Sequence, residues 1–195
     1  LLKNKNSVLP LNPSQTILVA GSGANSIQQQ TGGWTLSWQG NDNKNDEFEN
    51  ADTILAGIEG AINSGGGNVI FSEDASAAND ADNKPDVAVV VFGEQPYAEY
   101  VGDVSDLVYE FSDGENLQLI RKLKNQGITV VSVFLTGRPL WVNEHINASD
   151  AFVVAWLPGT EGAGVADVLV ANTDGEPRYA MSGKLAFSWP SVGTG

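Results

Sequence analysis

Short runs of apolar, often β-branched residues recur along the chain, and each predicts a strand of a buried sheet. The runs cover residues 16–20, 69–71, 87–92, 128–135 and 151–157. The run at 87–92 is apolar at every position, which is typical of a parallel strand covered on both faces. A further short strand is predicted at residues 184–189.

Between these runs, apolar residues three or four positions apart predict amphipathic helices. The predicted helices cover residues 51–62, 117–123, 141–146 and 161–170. Residues 24–50 are polar and are predicted as loop, and residues 1–14 form an extended leading segment punctuated by prolines. The alternation of strands and helices predicts one α/β domain over residues 1–195, a three-layer sandwich with a mostly parallel sheet.

Composition narrows the classes of function. Hydrophobic residues make up 42% of the 195, which is enough for a folded core. The net charge of −14, with only 10 Lys and Arg, argues against nucleic acid as a partner. The lack of cysteine excludes disulfides and cysteine nucleophiles, and no apolar run is long enough to span a membrane. We expect no metal, since the acidic segment 42–47 lacks the spacing of a calcium loop. We also expect no cofactor.

Glu94 is the first candidate for chemistry. It comes shortly after the predicted strand 87–92, and ligands of open α/β sheets bind just beyond the carboxyl ends of strands. A carboxyl group at such an apolar strand end can serve as a general acid. The nearby carboxylates of Glu99 and Asp103 are expected to raise its affinity for a proton. Position alone fits an exposed loop carboxylate without a task equally well.

Two tryptophans flanked by glycines interrupt the polar residues 24–50. The faces of Trp side chains offer a large apolar area on which sugar rings can stack. Trp34 directly follows a glycine pair and is predicted to be a ligand platform. Trp38 is predicted instead to anchor the loop onto the core.

Three further features carry weaker signals. Arg138 follows the strand 128–135 and can hold a carboxylate through paired hydrogen bonds, either to steady the loop of Glu94 or as a local ion pair. The glycines within residues 21–23 resemble a dinucleotide fingerprint, but Ser26 stands where its last glycine belongs. The one histidine, His145, is far in sequence from any convincing nucleophile and is predicted to be structural.

Several of these segments together resemble the second domain of glycoside hydrolase family 3, in its β-glucan exohydrolase branch. In chain order, the resemblance is carried by residues 1–4 with 8–11, 32–40, 93–103, 137–139, 155–162 and 183–190. It covers nearly the whole chain, and the motifs are specific jointly although each is modest alone. The resemblance implies a flavodoxin-like (α/β)6 sandwich.

For function, the resemblance implies an exo-acting glucosidase that removes terminal glucose from β-glucans or β-gluco-oligosaccharides with retention. It implies that Glu94 is the general acid/base and that Trp34 forms one wall of an aromatic clamp at the +1 subsite. The family's nucleophile is an aspartate on a (β/α)8-type first domain, and retention places the two carboxyl groups about 5–5.5 Å apart. We therefore expect a fragment that lacks the first domain, is inactive alone and comes from a secreted or periplasmic enzyme.

Two alternatives stay open. One is a non-catalytic sugar-binding module that keeps the Trp34 platform, and the other is a nucleotide-binding α/β domain that uses residues 21–23. Only the glucosidase interpretation needs the carboxyl group of Glu94 for chemistry. Should Glu94 have no role, Glu99 is the next candidate for the acid.

Overall fold

The computed structural model describes residues 1–80 and 84–193 of the chain. Within them, one sheet has the strand order β1-β6-β5-β4-β2-β3. Its strands are β1 Lys3–Asn4, β2 Thr16–Ala20, β3 Asn68–Phe71, β4 Val87–Gly93, β5 Thr129–Leu135 and β6 Ala151–Trp156. The pair of β1 with β6 is antiparallel, and the other pairs are parallel. The prediction of a mostly parallel sheet is confirmed.

Helices cover both faces of this sheet and complete the three layers. They are α1 Ile27–Thr31, α2 Ile54–Ser64, α3 Glu115–Asn125, α4 Asn143–Ala148 and α5 Gly162–Leu169. Helices α2 and α5 pack on the face to which Val89 and Val91 of β4 contribute. Helices α3 and α4 pack on the other face, to which Val90 and Phe92 contribute. The predicted three-layer α/β sandwich is confirmed.

Local capping explains where α2 begins. The apolar spacing predicts a helix from residue 51, but the structure starts it at Ile54. The hydroxyl of Thr53 accepts a hydrogen bond from the backbone N–H of Ala56 at 3.1 Å, so Thr53 is the N-cap. The apolar side chains of Ile58 and Ile62 then face the core as predicted.

The polar residues 24–50, predicted as loop, contain a helix that their composition hides. Helix α1 begins after Ser26, whose hydroxyl accepts a hydrogen bond from the backbone N–H of Gln29 at 3.2 Å. The side chain of Gln30 is fully buried, and its oxygen accepts a hydrogen bond from the backbone N–H of Ile54 at 2.9 Å. The buried amide side chains of Gln29 and Gln30, together with the apolar side chain of Ile27, therefore dock this helix.

The prediction of a strand at residues 184–189 is wrong, because these residues form no strand and most of them are exposed. The segment instead contacts the end of β6 through Trp189, whose ring centroid lies 5.8 Å from that of Trp156. A second difference is β1, which is too short and too polar to be recognised from its pattern. No helix in residues 1–80 and 84–193 has the length and apolar character needed to cross a membrane.

Candidate active site

The carboxyl ends of three adjacent strands bring the candidate residues together. Glu94 directly follows β4, Thr136 directly follows β5 and Leu157 directly follows β6. The end of β4 stays paired with β5, since the backbone N–H of Glu94 donates to the carbonyl oxygen of Leu135 at 3.0 Å. A Cβ atom at Gly93 would lie only 1.9 Å from that same oxygen. Glycine is therefore required at this position to present Glu94 at the sheet edge.

The carboxyl group of Glu94 is held by a guanidinium group and two hydroxyl groups. Its Oε1 accepts hydrogen bonds from Nε and Nη2 of Arg138 at 2.9 and 2.7 Å. Its Oε2 lies 2.6 Å from Oγ1 of Thr136 and 3.4 Å from the hydroxyl of Tyr97. The side chain is 13% exposed. The sequence suggested Glu99 and Asp103 as the neighbours of Glu94. In the structure, the side chains that form hydrogen bonds with the Glu94 carboxyl group are instead Arg138, Thr136 and Tyr97.

Arg138 forms an ion pair with Glu94, as its position after β5 suggested. Its Nη1 also donates to the carbonyl oxygen of Gly102 at 2.6 Å, and its Cζ lies 4.2 Å from the ring centroid of Tyr97. Burial, followed by the charge of Glu94, raises the pKa of Tyr97, so its hydroxyl stays a donor at neutral pH. Arg138 thus joins the start and the end of the loop that follows β4.

The two tryptophans lie in a closed loop, residues 32–40, which we call the aromatic loop. Its ends meet where the backbone N–H of Trp34 donates to the carbonyl oxygen of Trp38 at 2.9 Å. Trp34 has a φ of 59°, a left-handed conformation that is unfavourable for a bulky residue. The structure therefore holds a strained backbone at the residue predicted to be a ligand platform, and its side chain is 69% exposed.

Trp38 does not anchor the loop on the core, contrary to the prediction, because 47% of its surface is exposed. Its ring centroid lies 6.2 Å from that of Trp34 and 5.9 Å from that of Tyr100. The physical reason is a polar anchor: Nε1 of Trp38 donates to the carboxylate of Glu99 at 2.7 Å. The three rings form an exposed aromatic face rather than a plug.

Glu99 supports this face. Its carboxylate also accepts a hydrogen bond from Nε1 of Trp34 at 3.1 Å. The hydrogen bond from Trp38 is the largest effect that lowers the pKa of Glu99, so the group is an acceptor at neutral pH. Gln39 bonds the same segment, with its Nε2 donating to the carbonyl oxygen of Glu99 at 3.1 Å and its Oε1 accepting from the N–H of Ala98 at 2.7 Å. The aromatic loop and the loop after β4 are thus one hydrogen-bonded unit.

A cavity of about 270 Å³ lies between these groups. It is lined by Glu94, Tyr97, Thr136, Leu157 and the backbone of Gly33. Gly33 is needed here, because a Cβ atom would lie 2.0 Å from the carbonyl oxygen of Tyr97. The carboxyl group therefore has packed partners on one side and an opening on the other. Thr136 and Tyr97 were not singled out in the sequence, although the position of Thr136 directly after a strand was a usable signal.

A larger groove of about 880 Å³, beside residues 21–23, does not suit a nucleotide. Three carboxylates, those of Glu73, Asp74 and Glu115, line it against one cation, Lys122, so its net charge would repel phosphate groups. Hydrogen bonds from Ser76, with a smaller one from Ser72, lower the pKa of Asp74 to about 2, so it is charged at neutral pH. The backbone N–H groups of residues 21 and 23 are already used, donating to Glu73 and Val91. This arrangement argues against the nucleotide-binding alternative.

Two other sequence features have places within the fold. Nε2 of His145 lies 2.9 Å from Oε2 of Glu110, and the imidazole ring, which is 1% exposed, stacks on Phe92. In the acidic segment 42–47, the side chain of Asn45 bonds the backbone at Asn25 and Ile27. Across residues 1–80 and 84–193, no group of three or more acidic or histidine side chains is arranged to hold a metal ion.

Residues 1–194 match the model of the glycosyl hydrolase family 3 C-terminal domain. The chain belongs to glycosyl hydrolase family 3. This family 3 domain is 31% identical to the lysosomal beta glucosidase of Dictyostelium discoideum, over 98% of this chain and 24% of that protein. It is also 31% identical to the periplasmic beta-glucosidase of Salmonella typhimurium, over 99% of this chain and 27% of that protein.

A solved structure is more similar still. The crystal structure of the exo-1,3/1,4-beta-glucanase from a Pseudoalteromonas species matches this family 3 domain at 52% identity with a TM-score of 0.90. The match covers 97% of this chain and 23% of that one. The family 3 domain thus spans about a quarter of the length of these relatives.

Proposed function

We propose that this chain is the second domain of a retaining, exo-acting β-glucan glucohydrolase, to which it supplies the general acid/base Glu94 and part of the sugar-binding site. The observation that carries the proposal is the position of Glu94 at the carboxyl edge of the sheet, with a guanidinium group on one oxygen and a cavity beside it. A carboxyl group that must give up a proton and later take one back needs this access.

The proposed reaction uses two carboxyl groups. Glu94 protonates the glycosidic oxygen while a second carboxylate attacks the sugar, and Glu94 then removes a proton from the water that releases glucose. The ion pair with Arg138 stabilises the carboxylate form that exists between the two steps.

The second carboxylate is proposed to be an aspartate on a (β/α)8-type domain outside this chain. Support comes from the coverage, since the chain matches only about a quarter of each relative's length. We expect the chain to show no turnover without that domain.

Trp34 is proposed to stack on the sugar at the +1 subsite. Its exposed ring offers the apolar face that this requires. Glu99 is proposed as a positioning residue, because its carboxylate fixes the indole N–H groups of both Trp34 and Trp38. This occupation of Glu99 also makes it a poor second candidate for the acid.

The proposed substrate is a β-1,3/1,4-glucan or a β-gluco-oligosaccharide. Support comes from the exo-1,3/1,4-beta-glucanase that is 52% identical to this chain. The proposed location is periplasmic or secreted, with the periplasmic beta-glucosidase of Salmonella typhimurium as support. Such a location also suits a polymeric substrate.

The test compares Glu94→Ala with wild type in the full-length protein, on β-glucosides with good and poor leaving groups. We expect the poor leaving group to lose about 10²–10⁴-fold in rate, because only it needs protonation, and the good leaving group to lose far less. Added azide should restore turnover and yield glucosyl azide of retained configuration. Glu99→Gln is the matched control, for which we expect no leaving-group dependence. Equal and small effects of Glu94→Ala on both substrates would overturn the proposal.

A non-catalytic sugar-binding module is the second candidate, and the exposed aromatic face of Trp34, Trp38 and Tyr100 is the observation that favours it. On this alternative, Trp34→Ala abolishes sugar binding by the full-length protein, whereas Glu94→Ala leaves turnover unchanged. The Glu94 experiment therefore separates the two candidates.

A further inference from the structure

The last residues of β4 lack a strand partner on one side. Strand β4 pairs with β5 as far as Gly93, which lies opposite Leu135, but its pairing with β2 ends at Val90. Peptide groups of a strand point alternately to its two neighbours, so the carbonyl groups of Val91 and Gly93 point to the side where β2 has ended. The carbonyl oxygen of Val91 accepts a hydrogen bond from the N–H of Gly23 at 3.0 Å. The carbonyl oxygen of Gly93 needs a donor from elsewhere.

Tyr109 supplies this donor. Its hydroxyl group donates to the carbonyl oxygen of Gly93 at 3.0 Å. The same hydroxyl accepts a hydrogen bond from Nδ2 of Asn116 at 3.1 Å, and because an amide nitrogen only donates, the tyrosine proton is directed at Gly93. Burial, followed by the charges of Glu110 and Glu94, raises the pKa of Tyr109, so the hydroxyl group keeps its proton at neutral pH.

The ring of Tyr109 is held by contacts that do not involve Glu94. Its centroid lies 4.9 Å from that of Phe134 and 5.5 Å from that of His145. The backbone N–H of Tyr109 donates to the carbonyl oxygen of Trp141 at 3.3 Å. These contacts come from β5, from α4 and from the segment between them. The hydroxyl group of Tyr109 is therefore a fixed point against which the end of β4 is placed.

Two hydrogen bonds hold one peptide plane at the end of β4. The carbonyl group of Gly93 and the N–H group of Glu94 belong to the same planar unit. The N–H end donates to Leu135 of β5 at 3.0 Å, and the carbonyl end accepts from Tyr109 on the opposite side. With one bond alone the plane could turn about that bond, and Gly93 would permit the turn because glycine has the freest backbone. The second bond removes this freedom directly before Glu94.

We propose that Tyr109 is a positioning residue of the candidate active site, whose hydroxyl group fixes the peptide between Gly93 and Glu94 and thereby the direction in which the Glu94 side chain leaves the sheet edge. The inference rests on the proposed function of Glu94. Arg138 and Thr136 hold the carboxyl group itself, and Tyr109 holds the backbone from which it extends. A general acid must lie within hydrogen-bond reach of the glycosidic oxygen, so rotation of this backbone acts on proton transfer to the leaving group.

The test compares Tyr109→Phe with wild type in the full-length protein. Phenylalanine keeps the ring and its packing and removes only the hydroxyl group, so we expect the variant to fold. We expect kcat/KM to fall about tenfold on β-glucosides with poor leaving groups, a fraction of the about 10²-fold cost of a misplacement of roughly 1 Å. On good leaving groups, which do not need protonation, kcat/KM should stay near wild type.

Ser132→Ala is the matched control, because it removes a buried hydroxyl group from β5, where Oγ of Ser132 lies 2.7 Å from Oγ of Ser149. It should lower the unfolding temperature without any leaving-group dependence. Hydrogen exchange, followed by mass spectrometry on overlapping peptides, gives a readout that does not depend on activity. The amide proton of Glu94 should exchange about tenfold faster in Tyr109→Phe than in Ser132→Ala, the equivalent of one hydrogen bond.

Equal losses of kcat/KM on good and poor leaving groups in Tyr109→Phe, or no loss on either, would overturn the inference, because the hydroxyl group would then serve stability alone. Equal exchange at Glu94 in Tyr109→Phe and Ser132→Ala would overturn it as well. The proposed function fails differently. If Glu94→Ala loses poor leaving groups and Tyr109→Phe does not, the function stands and the inference falls. If Glu94→Ala has no effect, both fall.

Discussion

Glu94 and Glu110 are two carboxylates with similar burial and different surroundings. Their side chains are 13% and 18% exposed, and each has one nitrogen-bearing partner from a distant segment, Arg138 or His145. The carboxylate of Glu110 also accepts hydrogen bonds from Asn116 and Leu117 in the first turn of α3. Glu94 instead lines a cavity. Since burial and pairing are alike in the two groups, we expect access to a cavity to separate the carboxyl group that takes part in the proposed chemistry from the one that does not.

Substitution of Arg138 is expected to have the largest effect on the difference between Glu94 and Glu110. Arg138→Ala removes two donors from Glu94 and one from the carbonyl oxygen of Gly102, so the carboxyl group loses its position. We expect about 10²-fold loss in kcat/KM for the full-length protein, the order expected for a misplaced catalytic group. Arg138→Lys keeps the positive charge but lacks the paired donors of the guanidinium group, so its kcat/KM should lie between those of wild type and Arg138→Ala. Unchanged kinetics with lowered stability would make the pair a purely structural one.

Substitution of Glu110 should act on stability and leave the chemistry alone. Glu110→Ala leaves donors at the start of α3 and on buried His145 without their acceptor. We expect a loss of about 1–3 kcal/mol in free energy of unfolding, measured by denaturant titration. Loss of turnover in a folded Glu110→Ala protein would show that this carboxylate reaches the reaction, contrary to the comparison.

Trp34 tests whether the aromatic loop binds sugar. Trp34→Ala removes the exposed ring, and we expect KM for β-gluco-oligosaccharides to rise about tenfold, equivalent to ~1.4 kcal/mol. Tyr100→Ala is the control, because the Tyr100 ring belongs to the same aromatic face and contacts Trp38 edge-on. Equal effects of the two variants would argue against a dedicated platform at Trp34.

The smallest expected effect concerns acid stability. Burial alone would raise the pKa of Glu110, but hydrogen bonds from His145 and Asn116 outweigh it and lower the pKa below its ordinary value of 4.5. Because the folded-state pKa is lowered, the stabilisation is present above about pH 4.5 and is lost as the pH falls through the folded value. Unfolding measured from about pH 6 downward should show a flatter acid side for Glu110→Gln. An identical acid slope for wild type and variant would contradict this.

The sequence predicted the parts of the fold that apolar patterning determines. The core strands β2, β4, β5 and β6 and the helices α2, α3 and α5 each bury apolar side chains and were recognised. Helix α1 was missed because Gln30, a polar residue, docks it through hydrogen bonds. Strand β1 was missed because main-chain pairing with β6, not side-chain burial, forms it.

The site was predictable where it follows strand ends and not where it depends on three-dimensional neighbours. The position of Glu94 after β4 and of Arg138 shortly after β5 singled both out before their pairing was visible. The exposure of Trp38 was not predictable, because it depends on a hydrogen bond to Glu99, 61 residues away. Proximity in sequence likewise suggested Glu99 and Asp103 as neighbours of Glu94, whereas the fold supplies Thr136 and Arg138 from another strand end.

The most direct test of the account measures Glu94→Gln and Glu110→Gln side by side in the full-length protein. Each variant is assayed for kcat/KM on a β-glucoside with a poor leaving group and for thermal unfolding. The account predicts that Glu94→Gln loses about 10²–10⁴-fold in kcat/KM and stays close to wild type in Tm. It predicts that Glu110→Gln keeps kcat/KM and unfolds a few degrees lower. Wild-type turnover by Glu94→Gln, or a turnover loss in Glu110→Gln that matches it, would contradict the account.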